Sequence, residues 1–123
     1  MAAELLGGSA MHEISLMQEV LHIAMMHAER NKAQHIHTLT LRIGPLAGVD
    51  VEALRLAFQV VTEGTAAAGA ILEVEETNVK CWCAGCSKLF EPPHSEFFCP
   101  DCKVLSSDIR QGREFDVIAL EVM

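Results

Sequence analysis

Apolar residues recur with a helical period soon after the chain begins. Met17, Val20, Leu21, Ala24 and Ala28 fall at i, i+3, i+4, i+7 and i+11, which is one face of a helix. Ser15-x-x-Gln18 has the form of a capping box, and Asn31 suits a C-terminal end, so the spacing predicts a helix from Ser15 to about Lys32. The period then changes to two. Leu39, Leu41 and Ile43 alternate with Thr38, Thr40 and Arg42, which predicts a half-buried strand from Ile36 to Ile43, closed by Gly44-Pro45. Asp50 is a suitable N-cap for a second helix running to about Glu63, with Val51, Leu54, Phe58 and Val61 on one face and Gly64 as its stop. A second strand is expected from Ala70 to about Val79, where Leu72 and Val74 alternate with Glu73 and Glu75. The last strand is expected from Glu114 to Met123, with Ile118, Leu120 and Val122 sharing a face.

Three strands with an apolar face and two amphipathic helices make an α/β (α+β) fold: a two-layer sandwich of a three-stranded sheet and two helices. Between strands two and three lies a cysteine-bearing insert, residues 80–111, expected as a zinc-ribbon-like lobe on an α/β domain of residues 11–79 and 112–123. Residues 1–10, MAAELLGGSA, read as an irregular leader, or one added ahead of the natural start, because Gly7-Gly8-Ser9 is linker chemistry. They lack the basic and apolar regions of a signal peptide. Met11 is a credible first residue.

Charge narrows the function classes. Nine Lys and Arg face seventeen Asp and Glu, a formal net charge of −8. Nucleic-acid binding needs a basic face, which this balance does not supply. No apolar run approaches the roughly 18 residues of a membrane helix. Without a secretory signal the expected location is the cytoplasm, where thiols stay reduced.

The insert holds two Cys-x-x-Cys pairs, Cys83/Cys86 and Cys99/Cys102, separated by twelve residues. Each pair can set two thiolates on one tight turn, and two such turns facing each other form a tetrahedral S4 cage suited to Zn²⁺. Gly85 before Cys86 and Pro100 after Cys99 fit tight turns. Iron in a rubredoxin-like site would use the same ligands, and disulfides are the third possibility, disfavoured by a reducing compartment. Four cysteine ligands leave no open position for a substrate, so the cage reads as structural. Cys81 is left over as a free thiol at a strand end.

The histidines are less specific. His22 and His27 are five residues apart on one helix, about 500° of rotation, and do not share a face. His35 and His37 share one side of a strand start but lack a third ligand. His94 lies in the cysteine spacer and reads first as an exposed loop residue. His12 precedes the predicted helix. If Met11 is the first residue, its amine, the His12 amide nitrogen and imidazole, and the Glu13 amide nitrogen can reach one ion, and four nitrogens in a plane favour Ni²⁺ or Cu²⁺ over Zn²⁺. Position alone also allows His12 to be simply a residue ahead of a helix. Gly44-Pro45-Leu46-Ala47-Gly48 lacks the Lys-Ser/Thr ending of a phosphate loop, and no catalytic constellation stands out.

Three stretches in this order resemble the HypA/HybF family of nickel-incorporation proteins. They are Met11-His12-Glu13-Ile14-Ser15-Leu16, Leu41-Arg42-Ile43-Gly44 with the following helix, and the two cysteine pairs with the terminal Phe115–Met123 strand. The resemblance covers Met11 to Met123. It implies a nickel site at Met11, His12 and Glu13, with His12 the essential ligand, and structural zinc on Cys83, Cys86, Cys99 and Cys102. It implies a carrier rather than an enzyme, which binds Ni²⁺ reversibly, docks on a HypB-type GTPase and passes nickel to the hydrogenase large-subunit precursor, with urease maturation proteins as further partners of some relatives. The departure is the leader: a peptide bond from Ala10 turns the Met11 amine into an amide. His94 is the candidate to fill the nickel plane in that case. A monomer and a homodimer both fit the sequence. Two other readings stay open at this point, a zinc-ribbon interaction protein with no transferable metal and a rubredoxin-like electron carrier.

Overall fold

The structure, a computed structural model, describes residues 2–123, with side chains from His12 onward. In chain order its elements are α1 (Ala2–Arg30), β1 (Ile36–Ile43), α2 (Val51–Thr62), β2 (Ile71–Glu76), β3 (Lys80–Cys83), β4 (Lys88–Phe90), β5 (Asp108–Gln111) and β6 (Phe115–Val122). They fall into two units. The first comprises Met1–Leu41, Val49–Glu75 and Asp116–Met123; the second comprises Arg42–Gly48 and Glu76–Phe115.

In the first unit α1 and α2 pack on each other. The predicted stripe of α1 is the buried one: Met17, Val20, Leu21, Ala24 and Ala28 are all inside. The helix does not start at Ser15, however. It takes in residues 2–10, so Ser15 is a mid-helix residue rather than a cap. Ala2, Ala3, Glu4, Leu5 and Leu6 are strong helix formers that extend the helix across Gly7-Gly8, at a cost of about 1 kcal/mol for each glycine. The other end stops near the predicted place. Lys32 turns left-handed at φ 56, and the Ala33 N–H closes back on the Ala28 carbonyl at 2.9 Å.

Asp50 caps α2 as expected, its Oδ1 accepting from Glu52 N–H at 3.0 Å and Ala53 N–H at 3.2 Å. Leu54, Ala57 and Phe58 are buried against the core. The sheet order is β2-β1-β6, with β1 central. Along β1 the buried positions are Ile36 and Thr38, then Leu39, Leu41 and Ile43, so the alternation slips by one residue between Thr38 and Leu39. Thr38, expected on the polar face, is therefore buried, and its hydroxyl lies 2.8 Å from His37 Nδ1.

The second unit builds its own sheet, which periodicity did not reveal. Its order is β4-β3-β5, both pairs antiparallel, with Trp82 opposite Leu89 on one side and Asp108 on the other. The second strand thus ends at Glu76, short of Val79, and a separate strand enters the cysteines. Cys81, Cys83, Phe90 and Cys99 form a small core, with Val79, Phe97 and Ile109 against it. The main chain approaches itself closely at Gly44, where any Cβ would collide with the Gly112 carbonyl. The Glu114 carboxylate accepts from Thr77 Oγ1 at 2.8 Å and Gly112 N–H at 3.0 Å, and the Thr77 hydroxyl chiefly holds its carboxyl below the usual range.

Candidate metal centres

The cysteine pairs converge in the second unit. Cys83 ends β3, Cys86 follows in the turn to β4, and Cys99 and Cys102 sit on the turn before β5. The Sγ atoms of Cys83 and Cys102 are 3.5 Å apart, those of Cys86 and Cys99 are 3.9 Å apart, and all four lie within 4.8 Å of one another. Four sulfurs bound to one Zn²⁺ at ~2.3 Å stand about 3.8 Å from each other, so the cluster fits that ion. Among the described residues this is the one group of three or more metal-ligating side chains brought together.

The two turns are built alike, though not where the sequence suggested. The residue after the second cysteine of each pair is left-handed: Ser87 at φ 52 and Lys103 at φ 64. Gly85 has no such conformation, and a Cβ there would meet nothing. The Lys103 N–H returns to the Cys99 carbonyl at 2.9 Å, and the Cys99 N–H to the Val104 carbonyl at 3.0 Å. Lys88 pairs with Asp101 between the two turns.

Thiol chemistry agrees with a metal-binding cluster. Hydrogen bonding to Cys83, then to Cys102, together with burial, pushes the Cys86 thiol up to about 12. The Cys102 backbone N–H holds Cys99 below its ordinary value. At Cys102 the Val104 N–H acts downward, but hydrogen bonding to Cys83 and burial prevail and raise it. Four thiolates this close repel one another, and a dication relieves that repulsion while displacing the protons. Cys81 stands apart as the expected free thiol, fully buried, with its pKa raised by burial and then by Asp108.

Met11, His12 and Glu13 lie in the first unit, inside α1. The Met11 side chain is outside the described residues. His12 is 58% exposed, whereas Glu13 is fully buried. Glu13 Oε2 accepts the Asp50 N–H at 2.7 Å, and its Oε1 lies 3.8 Å from His12 Nδ1. Glu13 therefore ties the segment to the cap of α2. From the sequence Asp50 reads only as a cap; the two residues are 37 apart, and no local pattern joins them. His94 belongs to the second unit, exposed in the loop after Phe90, where it lines a cavity of about 470 Å³ with Pro45, Leu46, Asn78, Val79 and Phe97. Among the described residues no helix is long and apolar enough to cross a membrane.

Comparison with known proteins gives the family. A family model described as hydrogenase/urease nickel incorporation, metallochaperone, HypA, matches residues 11–122. A hydrogenase maturation factor HypA from a Picosynechococcus species is 44% identical over 113 residues, covering 92% of this chain and all of the relative. One from Chloroflexus aggregans is 38% identical, covering 90% and 98%. Among solved structures, a HypA protein in solution aligns with TM-score 0.68 at 27% identity over 92% of this chain and 97% of its own. The nickel metallochaperone HypA from Helicobacter pylori aligns with TM-score 0.64 at 25% identity over 90% and 97%. The matched family is one of metal carriers, not of enzymes or rubredoxins. The chain belongs to the HypA family of hydrogenase and urease nickel-incorporation metallochaperones.

Proposed function

We propose that this chain carries Ni²⁺ at the Met11-His12-Glu13 segment and delivers it to the hydrogenase large-subunit precursor together with a HypB-type GTPase, while zinc on Cys83, Cys86, Cys99 and Cys102 is structural. The observation that carries the reading is the contrast between the two sites. The cysteine cluster is complete with four ligands and has no position for exchange. His12 is exposed on a segment that the buried Glu13 anchors. A carrier needs the second kind of site, because cargo must leave as readily as it binds. The work would run in the cytoplasm, where the thiols stay reduced.

The leader bears directly on this site. Inside α1, the amide N–H groups of His12 and Glu13 donate to carbonyls one turn earlier. Nickel at those nitrogens requires them to be released, and in the chain with residues 1–10 the Met11 amine is an amide. The test is nickel affinity of the zinc-loaded chain with and without residues 1–10. The chain beginning at Met11 is expected to bind one Ni²⁺ at least tenfold more tightly. Equal affinity would remove the amine and the backbone nitrogens from the site.

A further inference from the structure

β6 is an outer strand of its sheet and is unusually open. It is eight residues long, bordered by β1 on one edge only. Val117 and Ile118 are neighbours, so they point to opposite faces, yet they are 36% and 37% exposed. Asp116 and Ala119 on either side are exposed too. A strand covered evenly on one face would alternate throughout; here Asp116 to Ala119 are all exposed while Phe115, Leu120 and Val122 are half-buried, and no strand of the described residues pairs with the outer edge. Met123 exchanges both backbone hydrogen bonds with His35, at 2.9 and 3.2 Å, so Val122 beside it turns its amide and carbonyl away from β1.

Outer strands normally carry Lys or Pro to prevent pairing with another chain. Phe115–Met123 has neither, and no Arg. Its charges are Asp116 and Glu121. The first unit as a whole has the same sign, and Arg42 on neighbouring β1 adds a single positive charge beside the strand. The first unit holds three of the nine Lys and Arg (Arg30, Lys32 and Arg55) and eleven of the seventeen Asp and Glu, so the whole −8 resides there, while the second unit carries six of each. A second copy would bring the same acidic unit against this edge, and like charges oppose that pairing.

We propose that β6 is a docking edge that receives an extended segment of a partner protein bearing Lys or Arg, added to the sheet as a further strand. Backbone hydrogen bonds supply affinity, Val117 and Ile118 supply apolar contact on the two faces, and Asp116 and Glu121 select basic side chains. Its test involves no nickel.

The probe is an eight-residue peptide of alternating Val and Lys, blocked at both ends, offered to the zinc-loaded full chain. Its counterpart alternates Val and Glu. Amide hydrogen exchange over Asp116–Val122 should slow at least tenfold with the Lys peptide, and the Glu peptide should bind at least tenfold more weakly. Asp116→Lys with Glu121→Lys should reverse that preference. Should this variant not fold, the contrast between the two peptides on the unaltered chain decides. Absence of binding, equal affinity for both peptides, or protection outside β6 would overturn the proposal. A dimer in sedimentation with β6 already protected would overturn it in favour of a second copy.

Discussion

Glu13 is fully buried, and its Oε1 has no hydrogen-bond partner among the described residues, while Oε2 holds the Asp50 amide. A buried carboxylate satisfied on one oxygen carries an unrelieved desolvation cost. The same group fixes the segment that presents His12. Two substitutions separate these effects. Glu13→Gln keeps an acceptor for Asp50 and removes the charge, so stability should stay within about 1 kcal/mol of the parent. Glu13→Ala removes the acceptor and opens a void, and should cost about 2–4 kcal/mol in urea unfolding of the zinc-loaded chain. Equal losses would mean that the charge, not the hydrogen bond, is what the fold uses. Glu13 was legible in the sequence only as part of a motif; its partner was not, because the contact joins α1 to the cap of α2 across 37 residues of sequence.

Elements with long, regular periods were read closely. β1 spans the predicted residues, the stripe of α1 is the buried one, and Asp50 caps α2. Each signal is local: a period or a cap within a few residues. The misses have other causes. The capping box at Ser15 has the right letters, but good helix formers precede it, and extending a formed helix is easier than starting one. The slip at Thr38–Leu39 leaves no mark in the alternation of the sequence. β3, β4 and β5 have four, three and four residues, too short for a period; their register comes from pairing and from the cysteine turns. The cap itself is testable. Asp50→Ala should cost about 1 kcal/mol, because two N–H groups of the first turn lose their acceptor while Glu13 keeps its bond to the residue 50 amide. A loss below about 0.3 kcal/mol would show that water replaces the cap fully.

At the scale of the whole molecule, the two units differ in what fills their cores. The second has a core made largely of cysteines and phenylalanine, too small to hold itself without a metal. Zinc removal by a chelator should therefore collapse the environment of Trp82, the one tryptophan, which lies in β3 under the Arg110 guanidinium 5.1 Å from its ring. The far-ultraviolet helical signal of α1 and α2 should survive. Loss of both together would mean that the units fold as one. Protons compete with zinc at the same sulfurs. Cys86, pushed up to about 12, holds its proton throughout the neutral range in the metal-free chain, so zinc binding must release it. Zinc affinity should accordingly rise between pH 6 and 8, by up to ~10-fold per unit for each proton displaced. A flat profile would mean that the thiols are already ionised.

The central claim is that the transferable metal sits at His12 and not in the cysteine cluster. The most direct measurement is nickel titration of the zinc-loaded chain beginning at Met11, as the parent and as His12→Ala, with zinc content followed throughout. One nickel per chain should bind to the parent, affinity should fall at least tenfold in His12→Ala, and zinc should stay in place in both. Unchanged nickel affinity in His12→Ala, or nickel entering only as zinc leaves, would contradict the account.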